Sequence, residues 1–220
     1  MKNLTLVIPA KNEEISLPKV LEEIKNYECY TIVVLEKNDN LTIDSIKNFN
    51  CKIIFQTRKG YGNAIIEGIN KVETDYLCIF NADGSFNPKY LKFMLEECKK
   101  CNFVFASHYL KNSGSEDDTL ITRFGNFVFS LIGNIFFSLK LSDILFTFVL
   151  GETRSFKKLE LERDDFTLCV EIPINAKKQK LSYIDIPNYE RKRIGGIKKV
   201  NEFRDGFKIL IYLIKRLFTK

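Results

Sequence analysis

The chain opens on an apolar run, NLTLVI over residues 3–8, that Pro9 closes. Such a run predicts a buried strand. Residues 13–26 follow with Ile15, Val20, Leu21 and Ile24 on one side of a helical repeat. YTIVVLE (30–36) predicts a second strand, residues 42–49 a short helix, and KIIF (52–55) a third strand. A helix is expected over 62–72 after RKGYG, a fourth strand in YLCIF (76–80), a helix over 88–100 and a fifth strand in NFVFAS (102–107). Strands alternating with helices predict an α/β fold, with a mostly parallel central sheet covered on both faces. In such sheets ligands sit beyond the carboxyl ends of the strands, near the point where strand order reverses. The expected strand ends read PAKNEE, EKND, NADGS and SHY, so polar and acidic residues collect at one edge.

One of these ends carries the chemical question. In CIFNADGSF (78–86) an apolar run delivers Asp83 into a glycine-containing turn. Asp and Gly are ordinary turn formers. A carboxylate so placed also suits a metal ion and, through it, a phosphate.

The second half is patterned differently. Residues 108–122 form a polar stretch containing GSEDD, which reads as a surface loop or as a lid that orders on substrate. Residues 123–150 are strongly apolar but interrupted by Asn126, Asn134, Lys140 and Asp143. They lack the roughly 18 uninterrupted apolar residues of a spanning helix. A packed helix pair and an interfacial helix on a membrane surface both fit. Over 203–218, Phe203, Phe207, Leu210, Ile211, Ile214 and Leu217 follow helical spacing, with Arg204, Lys208, Lys215 and Arg216 largely elsewhere. That is a basic amphipathic helix, suited to packing or to an anionic surface.

Composition narrows the classes. With 220 residues and 45% hydrophobic content the chain builds one full core and is not a disordered segment. A net charge of +6 points to anionic partners. No interleaved basic and aromatic sheet or other nucleic-acid module is recognisable, so no nucleic acid is expected. The first strand enters PAKNEE rather than a G-x-G-x-x-G turn, which disfavours a dinucleotide dehydrogenase. Cys98 and Cys101 make a C-x-x-C without a second pair or a nearby His to complete a zinc set. Most of the six thiols lie in apolar runs and read as core residues. Met1 to Pro9 reads as a strand rather than a secretory signal, which makes reduced cytoplasm the expected compartment.

Six segments in order, VIPAKNEE, IVVLEKND, RKGYGNAIIEGI, FNADGSFNP, TRFGN and ERKRIGGIKKVNEFRDGF, resemble the family 2 glycosyltransferases of GT-A fold. The nearest branch by these motifs is the dolichyl- or polyprenyl-phosphate sugar synthases. The resemblance implies a single GT-A domain over residues 1–220, with a Rossmann-like sheet and C-terminal amphipathic helices. It implies a nucleotide diphosphate sugar donor, UDP or GDP, a divalent ion, Mg or Mn, and inverting hexose transfer to polyprenyl (dolichyl-type) phosphate in cell-envelope glycan biosynthesis. Segments 123–150 and 203–218 would then pack or hold the enzyme on an anionic membrane surface at the inner face of the cell membrane. Homo-oligomerisation is left open. The alternatives are a glycosyltransferase with a soluble or glycan acceptor, and a catalytically reduced nucleotide-sugar-binding protein.

The same resemblance assigns residues. Pro9, Ala10 and Glu13 match the segment lining the nucleotide pocket. Glu36 matches the acidic position after the second strand, with Leu35 replacing a carboxylate of the usual pattern. Lys59, Gly60 and Gly62 match the loop around the nucleotide, although the glycines equally suit the opening of a helix. Asn81 and Asp83 match the D-x-D motif, with Asn81 in place of its first carboxylate and Asp83 as metal ligand. Arg123 resembles an acceptor-phosphate contact. Asp143 matches the start of a D-x-x-T-G-Y-R-like motif, which Gly151 with Thr153 or Arg154 ends after extra residues. Arg191, Arg193 and Lys198, in a loop with Gly195 and Gly196 that can close, are expected to offset charge on the leaving group. An already anionic phosphate acceptor needs no strong base. A hydroxyl acceptor needs one, with Asp143 and Glu171 the first carboxylates to consider. His108, the only histidine, suits a site or a packing role.

Overall fold

The computed structural model describes residues 1–195 and 198–218, so Gly196 lies outside the described residues. Strands β1 (Leu4–Pro9), β2 (Tyr30–Leu35), β3 (Lys52–Phe55), β4 (Tyr76–Ile79) and β5 (Phe103–Ser107) form where the apolar runs predict them. Four further strands follow: β6 (Gly114–Ser115), β7 (Val149–Glu152), β8 (Tyr183–Pro187) and β9 (Tyr189–Glu190). Seven of the nine make one sheet in the order β3-β2-β1-β4-β7-β5-β8, while β6 and β9 pair separately. The pairs β1–β2, β1–β4, β2–β3 and β5–β8 are parallel; β7 runs antiparallel to both β4 and β5. The expected mostly parallel α/β architecture is therefore what the chain adopts.

Period-two side-chain alternation supplies a core on each face of the sheet. From β1, Val7 joins a cluster with Val34, Leu77, Ile79, Phe103 and Phe105. Its neighbours Leu6 and Ile8 join the opposite cluster with Val33, Leu35, Cys78 and Phe80. Helices α1 (Leu17–Ile24), α2 (Asn40–Ile46) and α4 (Leu91–Cys98) cover the second cluster. Helix α3 (Tyr61–Ile69) covers the first. So do α6 (Thr153–Lys158), α7 (Leu168–Lys178) and α8 (Glu202–Phe218).

The stretch 123–150 departs from a helix pair. It forms one helix, α5 (Leu120–Phe137), and then extended chain leading into β7. A capping box at Thr119 and Thr122 starts α5, and Ser138 (φ 53°) with Lys140 (φ 57°) ends it. Beyond that point the period changes to two: Phe146, Phe148 and Leu150 enter one core while Val149 enters the other. Two of the clustered Phe are placed in the core this way, while Phe124, Phe127 and Phe136 of α5 stay exposed. Phe148 stacks on Phe86 at 4.6 Å between ring centroids and meets Phe80 edge-on at 5.5 Å. Helix α5 packs on α8. Among the described residues it is the one helix long and apolar enough to cross a membrane, with 17% of that window buried. The six cysteines are free, and Cys98 and Cys101 donate to nearby backbone carbonyls.

Candidate active site

The sheet edge expected to bind ligand holds a cavity of about 760 Å³. Pro9, Ala10 and Glu13 reach it from the end of β1, Glu36 from β2, Asn81 and Asp83 from β4, and His108 from β5. Arg193, Lys198 and Lys199 close it from the late segment. Phe124 and Phe129 of α5, Phe166, and Ile209 of α8 supply apolar walls.

Asp83 is fixed by its turn. Its Oδ1 accepts from the Ser85 backbone N–H at 3.0 Å, and Gly84 follows with φ 83°. The segment 191–195 is laid across this turn by backbone hydrogen bonds, Arg191 N–H to Ser85 O (2.9 Å) and Ile194 N–H to Asp83 O (2.8 Å). A side chain on Gly84 would collide with Ile194, so the glycine serves this close approach as well as its positive φ. The register places the Arg193 guanidinium 3.8 Å from Asp83 Oδ2 and 2.8 Å from Asp117 Oδ2. Arg191 faces elsewhere, forked onto Glu23 at 2.7 and 2.8 Å and donating to Phe86 O. It anchors the segment rather than lining the cavity. Three lysines of the cavity are paired: Lys199 with Glu13, Lys11 with Glu36 at 2.6 Å, and Lys198 with Glu202 at 2.9 Å.

The remaining sequence-derived residues fall in several places. Gly60 lines the cavity, whereas Lys59 and Gly62 are not among its lining residues. Both glycines lie against the backbone of Arg163 and Asp164, where any Cβ would collide with a carbonyl oxygen, and Asp164 O accepts from Gly62 N–H at 2.9 Å. Arg123 is exposed and borders two smaller grooves of about 570 and 390 Å³ instead of the main cavity. Asp143 is fully buried. Its Oδ1 accepts from Asn126 Nδ2 at 2.7 Å and from Phe146 N–H at 3.2 Å, and its Oδ2 lies 3.1 Å from His108 Nδ1. Burial pushes the Asp143 carboxyl up from its ordinary range. It stands behind His108 rather than in the cavity. Glu171 accepts from the Glu162 and Arg163 backbone N–H groups and so holds the 160s loop; it does not line the cavity.

The polar stretch 108–122 brings residues that the motifs do not mark. Pairing of β6 with β9 sets Ser115 beside Glu190, whose Oε2 accepts its hydroxyl. The Tyr109 hydroxyl donates to Asp118. Asp117, Asp118 and Glu190 all line the cavity. Burial pushes the Glu190 carboxyl up to about 7. His108, Asp118 and Glu190 bring their ligand atoms within 4.8 Å of one another. The acidic pair in GSEDD was the available signal, and two-residue strands gave no pattern from which its partner could be found.

Asp83 and Asn81 suit a divalent ion that binds a diphosphate. Both contribute hard oxygens to the cavity, phosphate and water can complete such a shell, and the place beside Asp83 Oδ2 already attracts a cationic group, Arg193.

A family model described as glycosyl transferase family 2 matches residues 5–160. Curated relatives described as uncharacterized glycosyltransferases, from Mycobacterium bovis (strain ATCC BAA-935 / AF2122/97) and Mycobacterium tuberculosis (strain ATCC 25618 / H37Rv), are 31% identical over 100 residues. That match covers 44% of this chain and 44% of theirs, so the chain matches under half the length of those relatives. Among solved structures, glucosyl-3-phosphoglycerate synthase from M. tuberculosis with Mn2+, UDP and glucosyl-3-phosphoglycerate matches at TM-score 0.78 and 12% identity, over 100% of this chain and 81% of that one. The same synthase with Mn2+, UDP-glucose and phosphoglyceric acid matches at TM-score 0.76 and 13% identity, over 100% and 81%. The fold is thus the GT-A fold, and the expected Mg or Mn accords with the Mn2+ of those structures.

These findings correct the branch expected from the motifs. Solved structures that share the fold over the whole chain include a synthase in complex with phosphoglyceric acid, not with polyprenyl or dolichyl phosphate. The polyprenyl acceptor, the anionic membrane surface and the location at the inner membrane face are set aside with it. Part of the apolar segments behind those expectations has another use here, while Phe127, Phe136, Phe203 and Phe207 are exposed. Phe124, Phe129 and Ile209 wall the cavity, and Ile132 and Leu213 fill the core beneath.

Proposed function

Because this chain belongs to glycosyl transferase family 2, we propose that it moves glucose from UDP-glucose, with inversion, to a soluble acceptor of the phosphoglycerate kind. The carrying observation is the cavity at the strand ends, where Asp83 and Asn81 meet Arg193 beneath the segment that the Asp83 turn itself fastens. The whole-chain likeness to a synthase crystallised with Mn2+, UDP-glucose and phosphoglyceric acid supports the donor, the metal and the acceptor class.

Asp83 and Asn81 would hold the divalent ion, Mg or Mn. When bound, that ion offsets the charge growing on the nucleoside diphosphate as the glycosidic bond breaks. Arg193 supplies a fixed positive charge at the same place, aimed by the hydrogen bond of Ile194 to Asp83. Lys198 and Lys199 carry further charge at the cavity rim, now shared with Glu202 and Glu13. Phe129 and Phe166 form an apolar wall beside the donor, which limits water there.

The test mixes purified protein with UDP- and GDP-sugars, Mn2+ or Mg2+, and 3-phosphoglycerate, and reads products by mass spectrometry. A glucosylated phosphoglycerate supports the proposal. Donor hydrolysis alone retains the donor half and removes the acceptor. Failure to bind any nucleotide sugar overturns both. A second expectation concerns Asn81. Asn81→Asp adds a carboxylate beside Asp83 and should tighten Mn2+ binding in the presence of UDP by about tenfold. Electron paramagnetic titration of free Mn2+ measures it, and an unchanged affinity would remove Asn81 from the ion's surroundings.

A further inference from the structure

We propose that His108, Asp118 and Glu190 form a second divalent-cation site, separate from Asp83. The geometry of these side chains is the same whichever acceptor the enzyme uses.

His108 leaves β5 with a side chain only 5% exposed. Nδ1 faces the buried Asp143 Oδ2 at 3.1 Å, and neither atom has another partner among the described residues. With Asp143 behind Nδ1, Nε2 is the nitrogen left for a ligand. Nε2 points the other way, 3.5 Å from Asp118 Oδ2, and belongs to the group whose ligand atoms lie within 4.8 Å. Ligand atoms around an ion with bonds of about 2.1 Å lie at most ~4.2 Å apart, so a closure of roughly 0.6 Å completes the site.

Each of the three residues also has a partner behind it. Asp143 backs the histidine, Tyr109 donates to Asp118, and Ser115 donates to Glu190. Outer partners of this kind orient metal ligands, and a carboxylate behind the far nitrogen of a ligating histidine is the recurrent form. Asp117 lies next in the chain to Asp118 and is already neutralised by Arg193. Arg193 also lies 3.8 Å from Asp83 Oδ2, and the group shares no ligand residue with Asp83. Four carboxylates, Asp117, Asp118, Asp143 and Glu190, thus crowd one imidazole and one guanidinium. A bound dication would offset the excess.

Access exists from two sides. His108 and Asp118 border both the main cavity and the smaller groove of about 390 Å³. An ion there keeps positions open for water or for a substrate oxygen. An imidazole nitrogen with two carboxylates selects manganese, iron, cobalt or zinc over magnesium and calcium.

The first test uses the unmodified chain without an affinity tag. His108 is its only histidine, so imidazole nitrogen modulation in the pulsed paramagnetic spectrum of bound Mn2+ reports this site alone. Modulation is expected; its absence at saturating Mn2+ overturns the proposal. The second test counts ions in the presence of UDP. Two Mn2+ per chain are expected, one in Asp83→Ala, and one in the double variant Asp118→Asn, Glu190→Gln, with UDP binding measured alongside. Asp143→Asn should weaken the second ion by about 10- to 100-fold. A single ion in the parent chain, or a count unchanged by the double variant, overturns the site while leaving the glycosyltransferase reading intact.

Discussion

Asp83→Ala is expected to lower sugar transfer by about 10²–10³-fold at saturating donor and Mn2+, an effect of the size seen when one group facing developing charge is removed. Two losses act together. The carboxylate proposed to hold the ion disappears, and Arg193 loses the second of its two carboxylate neighbours, 3.8 Å away, while keeping Asp117. The Ile194 hydrogen bond is to the backbone oxygen of residue 83 and survives the substitution, so the covering segment stays in place. The Oδ1 bond to Ser85 N–H is lost, at a cost of about 1 kcal/mol in stability. Thermal melting of the variant separates that cost from the catalytic one. Asp83→Asn keeps the shape and the turn while removing the charge, and should fall nearly as far. Initial rates with calorimetric UDP binding, with and without Mn2+, give the measurement. Rates within a few-fold of the parent and an unaltered metal requirement would take Asp83 out of the mechanism.

The parts of the fold legible in the sequence are those with a local cause. β1, β2 and β4 are buried on both faces and read as near-continuous apolar runs. Their polar ends mark the ligand edge, because parallel strands deliver their carboxyl ends to one side. β7 was not legible. Phe146, Phe148 and Leu150 alternate, but the apolar Val149 between them faces the second core, so the stretch resembles a continuing helix until the positive φ values at Ser138 and Lys140 are known. Long-range pairing hid the rest of the site. Glu190 reaches His108 and Asp118 only because β9 pairs with β6, across 75 residues from Ser115 to Glu190. The acceptor branch failed for a related reason. Most of the matching motifs describe the donor side, while the Phe-rich helix can wall a cavity or cover a surface with the same residues.

Gly60→Ala is expected to destabilise the fold by about 2–6 kcal/mol, the sum of backbone strain and overpacking. Gly60 has φ 120° and ψ 151°, a conformation that side chains strongly oppose. A Cβ there also meets the Asp164 carbonyl, which accepts from the N–H groups of Gly62 and Asn63 at the start of α3. The collision cannot be relieved by a rotamer change because the obstacle is backbone. Displacing Asp164 would strip the first turn of α3 of its acceptor and disturb the Tyr61–Phe166 stack at 4.5 Å, whose two rings line the cavity. Stability and donor binding should therefore fall together. Gly125→Ala is the control: nothing lies within 4 Å of its added Cβ, it sits inside α5, and it should gain roughly 0.5–1 kcal/mol. Urea unfolding of the three proteins checks both signs. Equal midpoints for the two variants would mean that the 163–164 backbone does not hold Gly60 in solution, and the glycine would then be free for the nucleotide contact that its motif implies.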